Sequence, residues 1–187
     1  MKVSALFVRS DSIYKELGID SWDIERDAKK WPGGNPIIAH PPCRAWGKLK
    51  AFAKPRPDEK ELAIWSIEQI RKWGGVLEHP RHSALWKELK LPTGKQIDKY
   101  GGFSISVNQH WFGHLAKKET LLYICGIKPG NIPDIPISFD AIQYTVCSSK
   151  KTTCKKEIPK KMREATPEAF AKWLIELAKM CKMKRLD

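Results

Sequence analysis

The 187-residue sequence contains no apolar run long enough to cross a membrane, which argues against a membrane-spanning role. Its first nine residues carry too short an apolar stretch for a secretory signal and no cleavage-site pattern follows, so Val3–Val8 reads instead as a first strand. The five cysteines are odd in number and scattered, which excludes a disulfide framework and points to a reducing compartment, the cytosol. Cys147 and Cys154 lack a partner pair and no histidine stands at zinc-like spacing, so no metal is expected. No internal repeat is present. Acids are also scarce relative to bases, with 21 Asp and Glu against 34 Lys and Arg, for a formal charge of +13. A balance this basic suits a polyanionic partner, DNA or a nucleotide, because each neutralised phosphate releases counterions.

What remains is a hydrophobic content of 42% and eight tryptophans, enough for one folded domain spanning 1–187. Ser21–Ile24 and Pro36–His40 read as the second and third strands, and Ser12 as the N-cap of a short helix stopped by Gly18. A helix begins at Asp58, with Leu62, Trp65, Ile70 and Trp73 at helical spacing, and ends at Gly74-Gly75. Further strands fall at Val76–Glu78, Ser104–Asn108 and Thr120–Cys125. Residues 126–163 read as a basic, irregular insertion. A last helix has Thr166 as N-cap, Pro167 at its first position, and one stripe of Phe170, Trp173, Leu174, Leu177 and Cys181. Strands alternating with helices imply an α/β fold with a mostly parallel sheet.

Two segments carry chemistry. His40-Pro41-Pro42-Cys43 closes the apolar run Pro36–Ala39, which places a thiol just past a buried strand on a loop stiffened by two prolines. A thiol so placed is either a nucleophile presented to a crevice or a buried structural cysteine. Glu78 ends the strand of Gly75-Val76-Leu77, where a carboxylate is costly without a partner. If those two strands are neighbours, thiol and carboxylate face each other across the ligand crevice of an open sheet. The plainer alternative has Glu78 capping the next helix or pairing with Arg81. Arg44 beside the thiol favours the thiolate, and Trp46 is either a stacking platform for a base or packing for the loop.

These motifs resemble those of the DNA (cytosine-5) methyltransferases, and in particular their short phage-type members. Pro41-Pro42-Cys43 is similar to the family's Pro-Cys motif, and Glu78-His79-Pro80 to its Glu-Asn-Val segment with His in place of Asn. Gln109–Thr120 resembles the segment whose glutamine and basic residues support the base and its phosphate, and Thr166–Ala171 resembles the closing helix. The resemblance implies a Rossmann-like, methyltransferase-like fold. It makes Cys43 the nucleophile attacking C6 of a flipped cytosine, and Glu78 the group holding N3 and the amino group. Pro41, Pro42, Arg44, Trp46, His79, Gln109, Lys117 and Lys118 would contact the substrate.

The implied cofactor is S-adenosylmethionine, held by Phe7, Ser10, Asp11 and Ser12 after the first strand and by Asp23 or Glu25 after the second. The family carries a glycine-rich loop there, whereas Phe7–Ser12 contains no glycine. Three readings follow: a compact cytosine-5 methyltransferase, placed in the host cytoplasm if phage-encoded; a cofactor-loop-deficient relative that binds DNA, a nucleotide or a host defence component; and an enzyme modifying free pyrimidine nucleotides.

Overall fold

The structure is a computed structural model that describes residues 1–47, 53–146 and 156–182. Part of the basic loop after Gly47, both Cys147 and Cys154, and the tail after Lys182 lie outside the described residues. The elements run β1 (Ser4–Leu6), α1 (Ile13–Glu16), β2 (Asp20–Trp22), β3 (Ile37–Ala39), α2 (Glu59–Trp73), β4 (Gly75–Pro80), α3 (Leu85–Glu88), β5 (Phe103–Asn108), β6 (Glu119–Cys125), α4 (Lys160–Glu164) and α5 (Glu168–Met180). No helix among the described residues is long and apolar enough to cross a membrane.

The six strands form one mixed α/β sheet in the order β2-β1-β3-β4-β6-β5. β2, β1, β3 and β4 are parallel, while β6 runs antiparallel to both its neighbours. Strand order reverses between β1 and β3: β2 lies to one side of β1, and the later strands lie to the other. In an open α/β sheet, the crevice outside the carboxyl ends of two such strands is where ligands bind.

Side chains alternate across the sheet with period two. Ala5, Ile38, Val76, Leu122 and Ile124 face a core shared with Tyr14 of α1 and with Phe170, Leu174 and Leu177 of α5. Leu6, Ile37, Ala39, Leu77 and Tyr123 face the other core, with Ile67 and Ile70 of α2 and with Trp31, Trp46 and Trp86. Helices cover both faces, which explains why β1 and β3 are buried at every position. Leu174 is fully buried in the first core, and Leu174→Ala would cost roughly 2–5 kcal/mol.

Several boundaries differ from the sequence expectation for local reasons. β1 stops at Leu6 because Phe7 adopts a left-handed φ of 59°. α5 starts one residue late, with Pro167 in the cap position and no side-chain cap from Thr166. β4 begins at Gly75, where a side chain would collide with the Ile37 backbone of β3. Within the stretch read as irregular, α4 forms and Glu157 bridges to Thr145.

Candidate active site at the carboxyl ends of β3 and β4

Past the end of β3, the His40 backbone N–H still donates to Leu6 of β1, at 3.0 Å. Pro41 is buried and Pro42 half-buried, so the chain is held close to the sheet before it turns. The Cys43 carbonyl then accepts from the Trp46 and Gly47 amides at 3.0 and 2.9 Å, closing a tight turn that leaves Cys43 exposed. Two anchors hold this turn. Trp46 is sunk in the α2-side core with Lys60 4.8 Å above its ring. Arg44 grips the fully buried carboxylate of Glu59 at two points, with Nε 3.1 Å from Oε1 and Nη2 bonded to Oε2.

Register carries Glu78 to the same place. Ala39 of β3 pairs with Leu77 of β4, so the next residues, His40 and Glu78, stand side by side. His40 Nδ1 lies 3.1 Å from Glu78 Oε2, and the Tyr14 hydroxyl lies 3.0 Å from His40 Nε2. The other carboxylate oxygen, Oε1, accepts from Gln109 Nε2 and Thr120 Oγ1, each at 3.1 Å. Gln109 opens the 3-10 turn that follows β5 and also donates to Thr120, at 3.0 Å. Residues from α1, β3, β4, β6 and the turn after β5 thus converge on one carboxylate.

The electrostatics follow from this convergence. Burial of Glu78 pushes its pKa up, but the His40 hydrogen bond and the charges of Lys118, His40 and His79 overcome it and hold the carboxyl at about 2. The Cys43 thiol moves the other way: desolvation, then the negative charge of Glu78, raise its pKa, and Lys118 opposes them only in part. Tyr14 is raised well above the ordinary phenol range by burial and by Glu78. Cys43, Glu78 and Lys118 therefore lie within one electrostatic neighbourhood.

The sequence-assigned residues divide clearly. Cys43, Glu78 and Gln109 come together with the backbone of Pro41 and Pro42, and the charge of Lys118 is felt at both Cys43 and Glu78. Two assignments need correction, those of Trp46 and His79, while Arg44 and Lys117 are engaged by neighbouring acids but stay exposed. Trp46 is 1% exposed and is core, so it offers no ring face to a base. His79 follows Glu78 in a strand and so points to the opposite face, 6.3 Å from Trp86. Arg44 is paired with the buried Glu59, yet it stays half exposed and its charge still interacts with that of Cys43. Lys117 turns to Glu119 at 3.1 Å, beside Arg81 and His82. Sequence reasoning gave His40, Tyr14, Thr120 and Glu59 no part here; for His40 the signal was present, since pairing β3 with β4 in register sets it beside Glu78.

Several of the residues expected to hold S-adenosylmethionine are engaged by other groups of the chain. Phe7 packs edge-on against Trp65, with centroids 5.9 Å apart. Asp11 is engaged at both oxygens by Arg9, at 2.8 and 3.0 Å, and Ser12 Oγ caps α1. Arg9 continues to Glu164 at 3.3 Å and Lys161 stands 3.8 Å from Asp11, which ties α4 across this turn. Asp23 is 3% exposed and already bonded to Lys15 and to the Glu25 and Arg26 amides. Asp11 nonetheless keeps about half of its side chain exposed, 49%, and both Ser10 and Glu25, the alternative to Asp23, are exposed.

A cavity of about 620 Å³ lies at the opposite, amino-terminal ends of β1 and β2, lined by Val3, Ile19 and Lys179 among others. It touches neither Cys43 nor Glu78. Among the described residues no cluster of His, Cys, Asp and Glu could hold a metal ion. No protein-family model matches the chain, and no curated protein matches it in sequence.

Proposed function

We propose that the chain acts on a pyrimidine, with Cys43 adding to C6 and Glu78 gripping the N3 and amino edge, in the manner of the DNA (cytosine-5) methyltransferases it resembles. One observation carries this reading: a solvent-exposed cysteine and a hydrogen-bonded carboxylate meet at the carboxyl ends of adjacent parallel strands, beside the reversal point of an open sheet. The sheet order supports a Rossmann-like ancestry. The charge of +13 favours a cytosine within DNA over a free nucleotide.

The pairing of Asp11 with Arg9, the burial of Asp23 against Lys15 and the glycine-free Phe7–Ser12 turn favour the form of this reading without resident S-adenosylmethionine, and no methyl-transfer step is derived. The chemistry left to the chain itself is reversible addition. The Cys43 thiol gives up its proton to water, its sulfur bonds to C6, the C5–C6 π pair shifts to C4–C5, and the C4–N3 π pair moves to N3, which takes up a proton from water. C5 then takes a proton from water. Loss of the original C5 proton and of the N3 proton, with expulsion of the thiolate, restores the pyrimidine with a solvent hydrogen at C5.

Exchange of the cytosine C5 hydrogen into D2O, followed by NMR on a deoxycytidine-containing duplex and on dCMP, tests the proposal. Exchange by the wild type that Cys43→Ser abolishes is the expected result, and Glu78→Gln should slow it by about 100-fold or more. No exchange on either substrate would overturn it. Exchange on dCMP alone would assign the activity to free nucleotides. Calorimetry with S-adenosylmethionine should show no binding; tight binding with methylation of DNA would restore the complete methyltransferase.

A further inference from the structure

The contact between α1 and the end of β3 has no role in the chemistry so far. We infer that Tyr14 and His40 form a positioning pair, with His40 aligned by the buried hydroxyl of Tyr14 so that its other ring nitrogen clamps one oxygen of Glu78 and aims that carboxylate into the Cys43 side of the crevice. The inference deepens the pyrimidine reading and rests on it for its substrate, but its geometry stands alone.

Tyr14 is fully buried within the α5-side core, so its hydroxyl has no freedom to seek another partner. It lies 3.0 Å from His40 Nε2, with the two rings tilted and their centroids 5.4 Å apart. A carboxylate accepts and never donates, so the proton at the 3.1 Å contact with Glu78 sits on His40 Nδ1. With the ring neutral, Nε2 is then the acceptor of the Tyr14 hydroxyl. The carboxylate thereby selects the tautomer, and the tyrosine, donating to Nε2, fixes the ring plane, the part that an orienting group plays beneath a reactive histidine. Here the histidine serves a carboxylate instead of a nucleophile.

The charged and titratable groups around Glu78 come from every element packed on it: Tyr14 from α1, His40 after β3, Cys43 on the loop, His79 within β4, and Lys118 before β6. With Gln109 and Thr120 donating to Oε1 and His40 to Oε2, Glu78 is surrounded by donors. It stays ionised and can only accept. The ring edge it receives must donate, as the cytosine amino group does, and as N3 does once protonated in the Cys43 adduct. Cytosine should therefore bind with uptake of a proton, whereas a uracil, which carries N3–H, should not.

Carbon-detected NMR of the Glu78 carboxyl, assigned with Glu78→Gln, tests the pair directly. The wild-type carboxyl should titrate well below ordinary glutamates. His40→Ala should raise the midpoint by about one pH unit or more, the worth of a charge-assisted hydrogen bond. His40→Asn, which keeps a donor near the Nδ1 position, should restore most of the shift. Tyr14→Phe should move it in the same direction by less. A midpoint unmoved in a folded His40→Ala protein would overturn the pair. The same variants in the C5-exchange assay should lose turnover with little change in apparent substrate affinity. If Glu78 titrates as expected but no variant, wild type included, exchanges C5 hydrogen, the pair stands and the pyrimidine reading falls.

Discussion

Glu78 and His79 are consecutive in β4 yet serve opposite faces of the sheet: Glu78 joins His40 and Gln109 in the crevice, while His79 packs into the α2-side core against Trp86. Both ring nitrogens of His79 are buried without a hydrogen-bond partner among the described residues, and desolvation lowers its pKa from 6.5 to about 4, with the Glu78 charge opposing. An unfolded chain binds a proton at this histidine below pH 6.5 and the folded one does not, so stability falls as pH drops from about 6.5 towards 4. Between pH 7 and 5 the loss should be about 2 kcal/mol. Urea denaturation of His79→Leu should show that limb gone; an unchanged acid limb would mean that His79 is not buried as described.

Glu78 governs the next stretch of the acid profile. Its folded pKa of about 2 lies below the 4.5 of an ordinary glutamate, so its contribution is complete above pH 4.5 and is lost as pH falls towards 2. Glu78→Gln should cost roughly 1–3 kcal/mol at pH 7, because an amide nitrogen would face donors. The difference from wild type should shrink below pH 4. Thermal melts of both proteins at pH 7 and pH 3 measure it, and a gap that stays constant would contradict the assigned charge.

Cys43 should be a sluggish thiol in the absence of substrate. Its pKa is raised by desolvation and by Glu78, so alkylation by iodoacetamide should be slow at pH 7 and climb into the alkaline range. Removing the Glu78 charge with Glu78→Gln should move the profile to lower pH, and Lys118→Ala should move it higher. Mass spectrometry of the Cys43 peptide separates this site from the buried Cys125 and Cys181. A profile indifferent to both substitutions would place the thiol outside this electrostatic neighbourhood.

Much of this site was legible because the local signals were strong. Two prolines before a cysteine, and a glutamate closing Gly75-Val76-Leu77, mark strand ends without reference to tertiary structure. Register then does the rest: once β3 and β4 pair, Cys43 and Glu78 must share an edge. The sequence could not reveal which face Trp46 takes, since an indole after a turn packs inward or outward according to partners such as Lys60 and Ala84, which are distant in the chain. Nor could it show that β6 inserts between β4 and β5 to make the sheet mixed, because a buried antiparallel strand and a buried parallel one have the same apolar composition. Tyr14 lies in the short helix that follows Ser12, and only the approach of α1 to β3 gives its hydroxyl a purpose.

The loop that carries Cys43 depends on a charge at the start of α2. Glu59 is fully buried, and the guanidinium of Arg44 holds both of its oxygens while remaining half exposed itself. Arg44→Ala leaves a buried carboxylate whose remaining partner among the described residues is the Arg56 amide at 3.4 Å, and should cost about 3 kcal/mol. Glu59→Leu alone strands only a solvent-accessible guanidinium and should cost less. Because the penalty arises from the unpaired acid, the double variant Arg44→Ala, Glu59→Leu should recover most of the stability lost by Arg44→Ala, a coupling that a double-mutant cycle in urea reads directly. The recovered fold should still fail in C5-hydrogen exchange, since the pair that held the Cys43 turn is gone while Glu78 and its donors are intact. Full exchange activity in the double variant would show that the turn needs only its prolines and Trp46 to present the thiol.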